Sequence, residues 1–105
     1  MILLTEYIEP GALAWLRRRV ECYYGPNLHT RLATISKELQ LAKGLIVRNQ
    51  TRVTGELLDK MPQLRVVGRL GAGLDNLDLE EMARRGIPVV YAPGLNANDV
   101  AELCL

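Results

Sequence analysis

The sequence predicts an α/β fold: a five-stranded parallel sheet in the order 2-1-3-4-5, with helices on both faces and a truncated C-terminal helix. Three observations predict it. Short aliphatic runs recur at Ile2-Leu3-Leu4, Val20-Glu21-Cys22-Tyr23-Tyr24, Leu45-Ile46-Val47, Val66-Val67 and residues 87–91. Segments with apolar residues at helical spacing separate them. No linker, repeat or low-complexity tract interrupts this alternation, so residues 1–105 read as a single domain. Strands that alternate with helices are joined by right-handed crossovers and therefore run parallel.

Each element has its own signal. Ile2-Leu3-Leu4 is an uninterrupted apolar run, the pattern of a strand buried on both faces. Leu13, Leu16 and Val20 fall at i, i+3 and i+7 on one helical face, and Arg17-Arg18-Arg19 puts cations where they complement the end of the helix dipole. The second run carries Glu21 and reads as an edge strand. Leu32, Ile35 and Leu39 repeat the helical spacing. The third, fourth and fifth runs again read as strands buried on both faces. Thr54 is the N-cap of a short helix with Leu57, Leu58 and Met61 facing inward and Pro62 just beyond it. Asp78 and Glu81 resemble a capping box opening a helix with Leu79, Met82 and Ala83 inside, which Gly86 stops and Pro88 keeps from continuing. Residues 96–105, with Val100, Ala101, Leu103 and Cys104, read as a helix that has only begun. This succession is that of the flavodoxin-like fold.

Composition narrows the function. Thirteen Lys+Arg against twelve Asp+Glu leave a net charge of +1, which argues against nucleic acid or an anionic membrane as partner. Leu, Val and Ile abound and Phe is absent, so the core is expected to be aliphatic. No apolar run approaches the roughly 20 residues that span a bilayer, and the first residues lack the basic region and cleavage site of a signal peptide. Cys22 and Cys104 fit neither a disulfide framework nor a zinc site. A cytoplasmic chain with reduced thiols is the expectation.

In an open parallel sheet, ligands bind outside the carboxyl ends of the strands. Four loops are expected there: Thr5-Glu6-Tyr7, Arg48-Asn49-Gln50-Thr51, Gly68-Arg69-Leu70-Gly71-Ala72-Gly73 and Ala92-Pro93-Gly94-Leu95-Asn96. They gather guanidinium, amide and hydroxyl groups and glycine-rich backbone, the makings of a small anion site. Arg48 offers a planar fork matched to a carboxylate, and Gly71 and Gly73 let bare N–H groups approach the same oxygens. A solvated surface charge and a tight turn are the plainer readings of the same residues.

Other sites fail on their residues. A dinucleotide fingerprint starting at Gly71 would need a third glycine at position 76, which is Asn76, and one starting at Gly68 meets Leu70. No glycine-rich turn follows the first strand, so the chain does not read as a nucleotide-binding domain. A phosphoacceptor domain would need an Asp where Arg48 stands. The only histidine, His29, is expected before a helix on the opposite edge, without an acid to orient it. Trp15, Tyr23 and Tyr24 read as packing residues.

The segments Leu45-Ile46-Val47-Arg48-Asn49-Gln50-Thr51, Leu64-Arg65-Val66-Val67-Gly68-Arg69-Leu70-Gly71-Ala72-Gly73-Leu74-Asp75-Asn76-Leu77-Asp78, Arg85-Gly86-Ile87-Pro88-Val89-Val90, Ala92-Pro93-Gly94 and Val100-Ala101-Glu102-Leu103 resemble the N-terminal domain of D-isomer-specific 2-hydroxyacid dehydrogenases. The phosphoglycerate and sulfolactate dehydrogenase branches are nearest. The likeness is specific over residues 45–103 and weaker over the first 44. It implies an NAD-dependent enzyme that moves a hydride between nicotinamide and C2 of a small 2-hydroxy or 2-oxo acid. It also implies that this chain is the substrate domain, a fragment without the inserted Rossmann domain that is its partner in such enzymes.

Carried over, Arg48 and Asn49 match the substrate loop. Gly71, Ala72 and Gly73 match the turn facing the substrate carboxylate and the nicotinamide, and Asn96 matches a polar active-site residue. Ala72 and Val100 would approach the cofactor. The family's catalytic Arg, acid and His lie beyond the Val-Ala-Glu helix. The resemblance therefore gives this chain no catalytic residue, no NAD binding of its own and no activity in isolation. An uncovered C-terminal helix would favour self-association as a dimer. The alternative is a stand-alone carboxylate-binding or protein-interaction module of the same fold.

Overall fold

The computed structural model describes residues 1–70 and 75–92. The elements are β1 (Ile2–Leu4), α1 (Pro10–Arg17), β2 (Cys22–Tyr24), two 3₁₀ turns (Leu28–Thr30 and Leu32–Ile35), α2 (Ser36–Leu41), β3 (Gly44–Val47), α3 (Gly55–Asp59), β4 (Val66–Leu70), α4 (Leu79–Arg84) and β5 (Val89–Ala92). The strands form one parallel sheet in the expected order β2-β1-β3-β4-β5. Among the described residues, no helix is long and apolar enough to cross a membrane. The expected C-terminal helix lies outside the described residues.

Period-two alternation divides the sheet's side chains between two aliphatic cores. Leu3, Leu45, Val47 and Val67 pack with Leu39, Leu57 and Met82, so α2, α3 and α4 cover one face. Ile2, Leu4, Ile46 and Val66 pack with Leu13 and Leu16 of α1 on the other. Central strands β1 and β3 are buried along their whole length, which explains their uninterrupted apolar sequence. β2 is an edge strand, as its charge implied. β5 is the opposite edge, so Val89 and Val90 are half-buried, where burial on both faces was expected.

Several boundaries differ from the sequence reading. β4 runs on through Gly68, Arg69 and Leu70, which the sequence reading placed in a loop, because they continue the pairing with β3 and β5. Ala92 likewise closes β5. The spacing of Leu32, Ile35 and Leu39 is realised by a 3₁₀ turn followed by α2 rather than by one helix. α1 ends at Arg17, and the N–H of Val20 closes a turn onto the Leu16 carbonyl. Trp15 packs as expected, with the Arg19 guanidinium 3.7 Å from its ring centroid.

The capping signals are realised in part. Thr54 accepts from the Leu57 N–H, and Asp78 accepts from the Glu81 N–H. The return arm of the capping box is not made: the Asp78 N–H goes to the Val53 carbonyl, and Glu81 pairs with Arg84 and Arg85 instead. Leu79 and Ala83, expected inside, are exposed, and only Met82 of that set is buried. Arg85 also bonds Asp59 at 2.7 Å, tying α4 to α3, and that contact with Asp59, then the one with Glu81, raises its pKa. Gly86 closes α4 at φ 71°, a left-handed conformation that disfavours any side chain.

Leu45→Ala would open a cavity in a fully buried site, with an expected cost of about 2–5 kcal/mol in urea unfolding. Gly86→Ala meets no atom within 4 Å, so only the backbone penalty of roughly 1–2 kcal/mol is expected in the same measurement.

Candidate functional site

Because all strands are parallel, their carboxyl ends form one edge, and the segments following β1, β2 and β3 converge there. The segment after β3 has no ladder to hold it. Its conformation depends on Glu6, which follows β1 directly and is 4% exposed. Glu6 Oε2 accepts from the backbone N–H of Arg48 (2.8 Å) and of Thr51 (2.9 Å), and Oε1 accepts from that of Gln50 (3.0 Å). The Thr51 hydroxyl donates to the same carboxylate at 2.7 Å. With its one hydrogen so engaged, Thr51 Oγ1 accepts from the Thr5 hydroxyl, also at 2.7 Å.

The opposite side of the loop is held by Asn76. Its Nδ2 donates to the carbonyls of Arg48 (2.8 Å) and Thr51 (2.7 Å). Two acceptors require that orientation of the amide, which leaves Oδ1 buried without a partner among the described residues. Its backbone carbonyl accepts from the Val53 N–H, joining the two segments at a parallel bridge from Val53 to Leu77. The loop is therefore clamped through its N–H groups by an anion and through its C=O groups by an amide.

Arg48 and Asn49 stand exposed on this clamped loop, at the edge where the sequence placed them. Among the described residues, the Arg48 side chain makes no hydrogen bond or ion pair, so its guanidinium is open to a ligand. The Thr51 hydroxyl, expected among the groups available at this edge, is buried and engaged by Glu6. Gly71, Ala72, Gly73, Asn96 and Val100 lie outside the described residues. Arg69 is buried in β4, where its guanidinium donates to the Leu70 carbonyl.

His29 is a correction. It sits on this edge, not the opposite one, because the chain leaving β2 coils into a 3₁₀ turn there. Its backbone N–H and its Nδ1 reach the Thr5 carbonyl at 3.1 and 3.2 Å. A carbonyl only accepts, so Nδ1 carries the hydrogen. Glu6 is the residue the sequence reading missed as an organiser. The one signal was an acid directly after a buried strand; the groups it binds are 42–45 positions away.

Burial would push the Glu6 carboxyl up. The Thr51 hydroxyl and the N–H groups of Thr51, Arg48 and Gln50 outweigh it and hold the pKa below the ordinary value. These residues do not suit the phosphates of a dinucleotide. The turn after β1 carries a buried carboxylate, which takes the nearby N–H groups, and α1 opens with Pro10 behind Glu9, which makes no side-chain cap.

A parallel sheet with a polar loop fixed at its carboxyl edge is the ligand-binding layout of α/β enzyme domains. More narrowly, the chain belongs to the D-isomer specific 2-hydroxyacid dehydrogenase family, whose catalytic domain matches residues 2–104. It is 39% identical over 104 residues to the (S)-sulfolactate dehydrogenase of Chromohalobacter salexigens, covering 99% of this chain and 34% of that protein. It is 36% identical over 107 residues to the D-3-phosphoglycerate dehydrogenase of Mycobacterium tuberculosis, covering 100% of this chain and 20% of that one. This chain thus spans about a third or less of these relatives.

Among solved structures, the TT0316 protein of Thermus thermophilus superposes with a TM-score of 0.78 at 33% identity, over 89% of this chain and 30% of that one. The NADPH-dependent glyoxylate/hydroxypyruvate reductase of Sinorhizobium meliloti, solved with NADP and malonate, gives 0.69 at 28% identity, over 88% and 28%.

The lowered pKa of Glu6 fixes the sign of its pH dependence. Its contribution is complete above the unfolded value near 4.5 and is lost as pH falls through the lower folded value. Thr51→Val is expected to cost about 1–3 kcal/mol in urea unfolding at pH 7, with a smaller penalty at a pH acidic enough to protonate Glu6. An equal penalty at both pH values would show that the carboxylate is not the group Thr51 serves.

Proposed function

We propose that residues 1–105 form a single flavodoxin-like substrate domain of a cytoplasmic, NAD-dependent 2-hydroxyacid dehydrogenase. The observation that carries this reading is the clamped loop: a guanidinium and a side-chain amide, on Arg48 and Asn49, stand exposed on backbone fixed from both sides, at the ligand-binding edge of the sheet. The family membership supplies the reaction: hydride transfer between nicotinamide and C2 of a 2-hydroxy or 2-oxo acid. The part of this chain is to bind and orient. Arg48 pairs with the substrate carboxylate through two parallel N–H bonds, and Asn49 donates beside it. Gly71, Ala72 and Gly73 present backbone N–H groups to the same carboxylate and Asn96 adds a polar contact, with Ala72 and Val100 toward the nicotinamide.

The chain is inactive alone in this reading. The poor match of the β1 turn to dinucleotide phosphates supports cofactor binding by a Rossmann partner domain. Without the hydride source and the catalytic His, orientation of the substrate accelerates nothing. Self-association of the domain as a dimer is part of this proposal, and light scattering that stays monomeric across a concentration series would remove that part.

Calorimetric titration of the purified chain tests the main reading. Oxalate or D-lactate is expected to bind weakly and NADH to give no heat. Arg48→Ala should weaken the carboxylate by about 10- to 100-fold, as loss of a charged hydrogen-bonding group does. Tight NADH binding would overturn the assignment as substrate domain. Carboxylate binding indifferent to Arg48 would move the site elsewhere.

A further inference from the structure

Glu6 has a geometry that exceeds what holding a loop in place requires. Successive N–H groups that converge on one point form a concave anion site. The N–H groups of Arg48, Gln50 and Thr51 do this, and the anion is the protein's own carboxylate, delivered from the end of β1. Its bond to the Arg48 N–H lies one bond from the Cα that carries the guanidinium stem. It therefore constrains the direction in which that stem leaves the backbone. The Arg48 carbonyl, bonded by Asn76, constrains the same residue from its other side.

The charges are also separated in a useful way. Glu6 is satisfied by neutral N–H and O–H dipoles, and none of the described ion pairs joins it to Arg48. A carboxylate that paired with the guanidinium would compete with an anionic substrate. This one orders the backbone of Arg48 and leaves its charge to the ligand. It also fills the concave site, so an incoming carboxylate is directed to the guanidinium rather than into the loop.

We infer that Glu6 is a positioning residue that sets the affinity for the substrate carboxylate by aiming Arg48 and Asn49 through their backbone. This rests on the reading of the site given above. Glu6→Gln replaces one acceptor oxygen with an NH₂ group that faces N–H donors, so the loop must rearrange even if the domain stays folded.

The experiment is an oxalate titration of the 105-residue chain and its Glu6→Gln, Arg48→Ala and doubly substituted variants, each checked for folding by circular dichroism. Glu6→Gln is expected to weaken oxalate about tenfold. Arg48→Ala added to it should cost much less than it does alone, because two residues acting through one contact are not additive. A folded Glu6→Gln protein that binds like the parent overturns the positioning role. Failure of the parent chain to bind oxalate overturns the site reading itself, so the two failures are distinct.

A second readout is independent of substrate. Glu6→Ala empties the concave site, and added formate should restore the parent's amide NMR signals of Arg48, Gln50 and Thr51. Formate that leaves those signals unmoved overturns the inference. Should Glu6→Gln not fold, Thr51→Val serves in its place in the oxalate titration. It is expected to lower affinity severalfold, and unchanged affinity counts against the role.

Discussion

Among the described residues, the loop after β3 at the carboxyl edge of the sheet is organised by the carboxylate of Glu6. The strands supply their own hydrogen bonds, and β1, β3 and β4 would pair wherever aliphatic side chains could be buried on both faces. The segment after β3 has no such ladder. Buried backbone groups need partners, and here one side chain supplies three N–H groups with an acceptor while Asn76 supplies two carbonyls with donors. Burying a carboxylate is costly unless it is well bonded. Two backbone N–H bonds and the Thr51 hydroxyl at one oxygen, with a third N–H at the other, offset that cost and keep the group ionised. The same bonds lock the loop, so stability and site geometry are one interaction viewed from two ends.

The two most informative arginines contrast. Arg85 is bonded to Glu81 and Asp59 and joins α3 to α4; its charge is committed to the fold. Arg48 has its backbone committed and its guanidinium open. Sequence position alone does not distinguish them, since both are exposed arginines near a turn. What separates them is where the nearest carboxylate points: at the side chain in one case, at the main chain in the other. This is the physical content behind the proposal that Arg48 meets a ligand.

Legibility followed the range of the interactions. The Thr54 and Asp78 caps and the stop at Gly86 depend on residues within a few positions of one another, and the strand order and aliphatic core follow from the alternation of locally patterned elements; each is found. The length of β4 escaped because Gly68-Arg69-Leu70 carries a glycine and a charge and has no β-branched residue; its pairing with β3 and β5 decides it. The missing return arm of the Asp78 cap has the same cause, since Val53 and Arg85 offered competing partners. His29 was placed on the wrong edge because 3₁₀ coiling after β2 carries no hydrophobic period to read. Glu6 was least legible of all. A carboxylate that bonds backbone N–H groups places almost no demand on the residue types it meets, so no motif marks its partners. Arg48 and Asn49 stood out by their chemistry, while the reason for their placement lay more than forty positions upstream.

The acid after β1 also bears on which ligands this edge can accept. Parallel α/β sheets have one ligand edge, and the turn after the first strand is where dinucleotide-binding domains place bare glycine backbone against a pyrophosphate. Here that turn holds an ionised carboxylate, and the N–H groups within its reach are already engaged. A polyanion at that point would face a like charge and find those N–H donors taken. A small carboxylate meeting Arg48 further along the edge faces neither obstacle. An acid in place of a glycine turn thus disfavours dinucleotide phosphates at this point of the edge. In the proposed enzyme, substrate and cofactor are then held by separate domains that must close on one another.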